Sequence, residues 1–274
     1  MNKKRFGLIG KKLDYSRSPE IHSQIARIMD VDMAYELLEV PDESMLKNIL
    51  SGAFDGYNVT TPYKEAVIPL LDEIDPVAKR IGAVNTIARE GLKLVGYNTD
   101  YHGFLMTLSQ FKMDVTVTSS AVVLGSGGAA KMVVTALKDM GFTEVVVVSR
   151  NPDQIRGSFP DIQCVNYESY YSKTRTVATS KHLLVNCTPI GHIGETGKQL
   201  LQSIPFQDVG WVIDLNYNPP DTLLLQLAHN HGVKAVNGLK MLIAQAVKAE
   251  FIWNSNTFVS IDQVLNTLED VYNM

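Results

Sequence analysis

The stretch AVVLGSGGAAKMVVTALKDMGFTEVVVVSRN, residues 121 to 151, constrains the fold more than any other part of this chain. A β-branched run ends in a glycine turn. A segment with apolar residues Ala130, Val133, Val134 and Leu137 at helical spacing follows, and a second β-branched run closes the unit. Gly125-x-Gly127-x-x-Ala130 fits the G-x-G-x-x-G/A pattern of a dinucleotide-binding βαβ turn. Gly125 allows the tight turn, Gly127 lets a pyrophosphate approach the backbone, and Ala130 lets helix and strand pack closely. The helix start then offers free N–H groups to phosphates. The same pattern without a ligand is simply a tight turn, so the surrounding strand and helix signals are what give it weight.

The end of the second strand bears on the cofactor. An NAD site expects an acidic residue there for the ribose 2′-hydroxyl. This chain has Ser149-Arg150-Asn151 instead. A guanidinium pairs bidentately with a phosphate, which favours NADP.

Elsewhere β-rich runs alternate with helical patterns. The strand-like runs are 5–10, 35–40, 56–60, 83–88, 121–126, 144–149, 182–187, 211–216 and 234–237, with KLVGYN as a further one. Such alternation predicts an α/β fold with largely parallel sheets. Ser18 and Pro19 read as the start of a first helix, and Ser260 with Gln263 as a capping box for the last. The stretch 110–120 reads as a connector. The expected organisation is an α/β substrate domain, residues 1–102 joined by 238–274, and a doubly wound, Rossmann-like NADP domain, residues 103–237. The expected site lies in a cleft between them.

The net charge of −4 argues against a nucleic-acid partner. The N-terminal MNKKRFGLIG has no apolar signal-peptide core, and the apolar runs are too short to span a bilayer. Cys164 and Cys187 make no CxxC pair, and His229 and His231 lack HExxH spacing. The expectation is a cytoplasmic protein that binds no metal. Its oligomeric state is left open between monomer and homodimer.

A nicotinamide cofactor implies hydride transfer, and hydride transfer at an alcohol needs an acid–base group. Lys64, after the strand and proline turn of GYNVTTPYKE, and Asp100, in GYNTDYHG, are candidates at strand ends. Each alone could be an ordinary surface lysine or turn aspartate.

The segments GYNVTTPYK, GAVNT, GYNTD, GSGGAAK, NCTPIG, DLNYNPP and NGLKMLIAQA occur in the order seen in shikimate dehydrogenases, and GLIGKKLDYSRSPEIH resembles that family's opening segment. The resemblance spans nearly the whole chain. It implies reversible NADPH-dependent reduction of 3-dehydroshikimate to shikimate, on the route to chorismate and aromatic amino acids. It makes Lys64 the acid–base residue and Asp100 its partner. It assigns the substrate carboxylate to Ser16 and Ser18, and further substrate contacts to Thr60, Asn85, Tyr217 and Gln245. The cofactor is implied to lie along Gly125, Ser126, Gly127, Gly128, Ala129, Ser149, Arg150, Asn151 and Thr188, with Leu215 and Gly238 on the nicotinamide side.

The chain departs from the family pattern at Lys11, Lys12, Tyr15, Tyr101, His102 and His192, and Ser149-Arg150-Asn151 stands where the family has Asn-Arg-Thr. The rival readings are a quinate/shikimate dehydrogenase using NAD, a non-catalytic dinucleotide-binding paralogue, and a methylene-folate dehydrogenase of related architecture.

Overall fold

The computed structural model describes residues 3–14, 16–109, 111, 120–172, 181–192, 196–255 and 257–272. Its contacts divide into two units, Met1–Gly103 with Leu242–Met274, and Phe104–Met241. Both divisions fall inside helices, Thr99–Ser109 and Leu239–Trp253. Of the connector expected at 110–120, residues 110 and 112–119 lie outside the described residues, and Ser120 already belongs to a strand.

In the second unit the described strands are β7 (Ser120–Leu124), β8 (Glu144–Val148), β9 (Gln163–Val165), β10 (His182–Asn186), β11 (Val209–Asp214) and β12 (Lys234–Asn237). They pair in the order β12-β11-β10-β7-β8-β9, every pair parallel. This is the doubly wound order of dinucleotide-binding sheets. Strand order reverses between β7 and β10, the place where such sheets take ligands. β7 and β10 are buried along their whole length, as strands covered by helices on both faces must be. Val122, Val146, Leu184 and Val212 share one core with Leu201, Phe206 and Leu224. Each such side chain contributes roughly 1.5–3 kcal/mol of burial. β9 is only three residues long and was missing from the expected strands.

In the first unit the strands are β1 (Lys4–Gly10), β2 (Met33–Glu39), β3 (Gly56–Val59), β4 (Glu73–Ile74), β5 (Thr86–Glu90) and β6 (Lys93–Tyr97), ordered β2-β1-β3-β5-β6-β4. This sheet is mixed, within an arrangement that is largely parallel as expected. β1 pairs in parallel with β2 and β3, but β5 runs antiparallel to both β3 and β6. For β5 and β6 the reason is a two-residue loop. Glu90 pairs with Lys93 across Gly91-Leu92, and Gly91 takes a φ of 65°. A connection that short joins only antiparallel neighbours.

Two local devices fix the segments that matter below. Asp75 caps helix Pro76–Ile81, accepting from the N–H groups of Val77 (2.9 Å) and Ala78 (3.4 Å). Gly82, at φ 70°, ends that helix and turns the chain into Ala83-Val84-Asn85. Asn98 Oδ1 accepts from Tyr101 N–H at 3.1 Å, and its Nδ2 donates to Ala83 O at 2.8 Å. This amide starts helix Thr99–Ser109 and ties it to the Asn85 segment. The last helix, Ile261–Tyr272, carries the expected capping box: Ser260 N–H donates to Gln263 Oε1 (2.8 Å) and Gln263 N–H to Ser260 Oγ (3.2 Å). Ser18 does not cap its helix as expected. The helix begins at Ser18, Arg17 stands in the cap position, and no side chain caps the end.

Candidate active site

Lys64 follows the turn that leaves β3. Tyr63 N–H donates to Thr60 O (3.0 Å), Thr60 N–H to Ile9 O (2.8 Å), and Lys64 O accepts from Val84 N–H (2.8 Å). The turn is therefore stitched to β1 and to the segment before Asn85. Its lysine Nζ reaches Asp100 Oδ2 at 2.6 Å, with the side chains 21% and 13% exposed. Both are largely sheltered while keeping some exposure to solvent. Asp100 lies in the first turn of its helix, where a carboxylate is favoured by the helix dipole.

Next to Asp100 in sequence, Thr99 is almost wholly buried and joins an amide cluster. Thr99 N–H donates to Asn85 Oδ1 (2.6 Å), Asn85 Nδ2 donates to Thr99 Oγ1 (3.0 Å), and Gln245 Oε1 lies 3.5 Å from Asn85 Nδ2. Gln245, on helix Leu239–Trp253, is itself held by its Nε2 donating to Leu242 O (2.8 Å). Asn58 supports this cluster from β3, donating to Thr86 Oγ1 (3.0 Å) and Asn85 O (3.3 Å). Tyr35 OH in turn donates to Asn58 Oδ1 (2.7 Å). Among the sequence candidates, the structure thus brings Lys64 to Asp100 and Asn85 to Gln245.

Ser16 and Ser18 are half-buried neighbours, Ser18 N–H donating to Ser16 Oγ at 3.3 Å. Below them is a group the sequence reading missed. His22 Nδ1 and Glu250 Oε1 meet at 2.6 Å, both fully buried, and the His22 ring stacks on Tyr35 with centroids 4.1 Å apart. Asn254 Nδ2 donates to Glu250 Oε2 at 2.9 Å. The sequence signal was the positioning of His22 one turn past Ser18 on the same amphipathic helix.

In the second unit, β7 ends in the glycine turn. Gly125 has a φ of 103°, and its N–H donates to Val148 O at 2.8 Å. A Cβ added to Gly127 would meet nothing within 4 Å, so its backbone faces open space. Gly127 occupies the cap position of helix Gly128–Asp139 without a side-chain cap, leaving the first N–H groups free for an anion. Ala130 is fully buried against the sheet. Ser149 Oγ lies 3.5 Å from Ser126 Oγ, and Arg150 and Asn151 are exposed beyond it. These features fit a dinucleotide: a backbone cradle that a Cβ would fill, an uncapped helix start, and an exposed guanidinium at the end of β8.

Thr188 packs beside Gly125, whose added Cβ would lie 3.0 Å from Thr188 Cγ2. Gly238 is packed against Leu215, with no room for a Cβ over the Leu215 carbonyl. Tyr217 is half-buried just after Leu215. Of the departures, His102 is half-buried and its imidazole is held below the ordinary pKa by burial and then by Lys248. Tyr15 lies outside the described residues. His229 and His231 are exposed, His231 Nδ1 within 2.8 Å of Leu227 O. Cys187 is half-buried, its thiol pushed well up by burial.

The family model described as "Shikimate dehydrogenase substrate binding domain" matches residues 8–87. A curated relative from Clostridium perfringens (strain SM101 / Type A), shikimate dehydrogenase (NADP(+)), is 38% identical over 272 residues, covering 98% of this chain and 97% of that protein. The chain belongs to the shikimate dehydrogenase family. Solved structures of shikimate dehydrogenases share the fold. A chorismate mutase/shikimate 5-dehydrogenase fusion protein from Clostridium acetobutylicum matches with a TM-score of 0.85 at 36% identity, covering 100% of both chains. Shikimate 5-dehydrogenase from Thermus thermophilus, in complex with NADP(H) and shikimate, matches with a TM-score of 0.77 at 31% identity, over 96% of this chain and 97% of that one. Among the described residues of this shikimate dehydrogenase family member, no helix is long and apolar enough to cross a membrane.

Proposed function

We propose that this chain is a shikimate dehydrogenase that reversibly reduces 3-dehydroshikimate to shikimate with NADPH. The observation that carries the reading is the Lys64–Asp100 pair at 2.6 Å, partly exposed and flanked by the amide cluster of Asn85, Thr99 and Gln245. The names of its relatives point to the same activity.

NADPH, when bound, would supply the hydride for the carbonyl carbon. Lys64 supplies the proton that the carbonyl oxygen takes up as it becomes a hydroxyl, and recovers it in the reverse direction. Asp100 holds the ammonium in place and offers acceptor oxygens to a substrate hydroxyl. Asn85, Thr60, Gln245 and Tyr217 orient the remaining ring hydroxyls. Ser16 and Ser18 donate to the substrate carboxylate, a neutral site that needs no guanidinium. The turn Gly125–Ala129 would cradle the pyrophosphate, Arg150, with Ser149 and Asn151, would hold the 2′-phosphate, and Thr188, Leu215 and Gly238 would border the nicotinamide. The residues through 103 with the C-terminal helices serve substrate, and the Rossmann-like unit serves cofactor. The enzyme acts on small molecules in the cytoplasm, without nucleic acid, as a monomer or homodimer.

The test is turnover of shikimate and of quinate, each with NADP+ and with NAD+, followed by absorbance of the reduced nicotinamide. Shikimate with NADP+ should be the best pair. Quinate with NAD+ as the best pair would reassign the enzyme, and dinucleotide binding without turnover of either acid would make the chain a binding paralogue.

A further inference from the structure

The carboxyl ends of β10 and β11 meet at one buried charge. Asp214 is 0% exposed. Its Oδ1 accepts from Asn186 Nδ2 (2.9 Å), Asn216 N–H (3.1 Å) and Asn216 Nδ2 (3.0 Å), and its Oδ2 from Thr222 Oγ1 (2.7 Å). The partners reach onward. Asn186 Oδ1 accepts from Thr188 N–H (3.1 Å) and Thr188 Oγ1 (2.7 Å). Asn216 Nδ2 also lies 3.0 Å from Thr188 O and 3.2 Å from Ile190 O. Thr222 Oγ1 accepts from Leu225 N–H at 3.3 Å, capping helix Leu223–Asn230. Asn216 O accepts from Gly238 N–H at 3.1 Å.

Burying a carboxylate is costly unless its lone pairs are filled. Here that cost is matched to a need for acceptors. The Thr222 hydroxyl uses its oxygen on Leu225, so its proton must go to an acceptor. Three further N–H groups converge on the other oxygen. An amide at this position would turn one oxygen into a donor, facing either the Thr222 hydroxyl or the three N–H groups.

We infer that Asp214 is a positioning residue for cofactor binding. Its carboxylate holds the loop Thr188–Gly191, through Asn186 and Asn216, in the arrangement that receives the dinucleotide at the strand-order reversal between β7 and β10. The inference rests on the reading of Thr188 as a cofactor-side residue. It has independent support in the packing of Thr188 against Gly125. Asp214 acts through these neighbours and touches neither ligand.

Direct titration of the full-length protein with NADP+, and separately with shikimate, tests this. Asp214→Asn should raise the NADP+ dissociation constant about tenfold or more, comparable with losing about one buried hydrogen bond. Its shikimate dissociation constant should stay within about twofold. Thr222→Val, which keeps the carboxylate but removes its Oδ2 donor together with the cap on Leu225 N–H, should show a smaller loss of the same kind and covers the case in which Asp214→Asn fails to fold. A lower melting temperature with unchanged NADP+ affinity in the folded variants, or equal losses for both ligands, would overturn the inference. Wild-type protein that bound no NADP+ would overturn the functional reading and this inference together. Wild-type binding with unaltered variants overturns this inference alone.

Discussion

The Lys64 ammonium sits 2.6 Å from the Asp100 carboxylate although the two residues arise from different devices, a turn stitched to β1 and the capped start of a helix. Both backbones are fixed by hydrogen bonds of their own, the turn to Ile9 and Val84 and the helix start to Ala83 and Asn85, so the ion pair is not what holds either segment in place.

Lys64→Ala should therefore leave the fold intact and remove the proton donor. Turnover should fall by about two to four orders of magnitude. NADP+ affinity, a property of the other unit, should persist. Steady-state kinetics beside a direct cofactor titration checks both statements, and near-normal turnover would remove Lys64 from the mechanism.

Asn85→Ala acts on both stability and substrate binding. It strips the buried Thr99 N–H of its acceptor and Thr99 Oγ1 of a donor. Leaving a buried donor unmet costs about 1–3 kcal/mol. Denaturant unfolding should show a loss of that order, together with a raised KM for shikimate. A stable variant with an unaltered KM would place Asn85 outside the site.

Arg150→Ala addresses cofactor choice. The side chain is exposed at the end of β8, so the fold should tolerate its removal. A charge-assisted hydrogen bond is worth about 1.5–3 kcal/mol, so NADP+ should bind about ten- to a hundredfold more weakly. NAD+, which lacks the 2′-phosphate, should bind as before. Equal effects on the two cofactors would refute a phosphate contact.

Asp214 gives stability a characteristic pH dependence. Burial raises its folded pKa from 3.8 to about 6, against the donors from Thr222, Asn216 and Asn186, which pull it down. Between those values the native state keeps a proton that the unfolded chain has released. Its contribution to stability is thus greatest below about pH 4 and declines as pH rises to about 6, by about 3 kcal/mol in all. In Asp214→Asn this dependence vanishes. The stability of wild type relative to the variant should therefore be better at about pH 4 than at about pH 7, as measured by denaturant unfolding at both. A flat difference would mean that the carboxylate titrates normally.

How much of this was legible beforehand depends on the range of the interaction. The glycine turn was readable because Gly125, Gly127 and Ala130 act within one βα connection, where backbone freedom and close packing follow from residue type alone. The Ser260/Gln263 box was readable for the same reason. The antiparallel pair β5–β6 could have been read from Gly91-Leu92, whose two-residue span between strand-like runs forbids a crossover. The Ser18 cap failed because the first helical turn includes Ser18 itself.

By itself, then, the amino-acid order determined the strand and helix alternation, the parallel β-branched sheet of residues 120–237, and the residue types from which a hydride-transfer site could be assembled. Those are short-range matters of periodicity, turn chemistry and steric freedom. Only the tertiary structure decided which polar residues meet. Lys64 and Asp100 are 36 positions apart, Asn85 and Gln245 160, and His22 and Glu250 228. Asn186, Asp214 and Thr222 converge only because β10 and β11 lie side by side. Such meetings depend on strand order and helix packing across the core, and a buried carboxylate or imidazole is tolerated only where that packing delivers its hydrogen-bond partners.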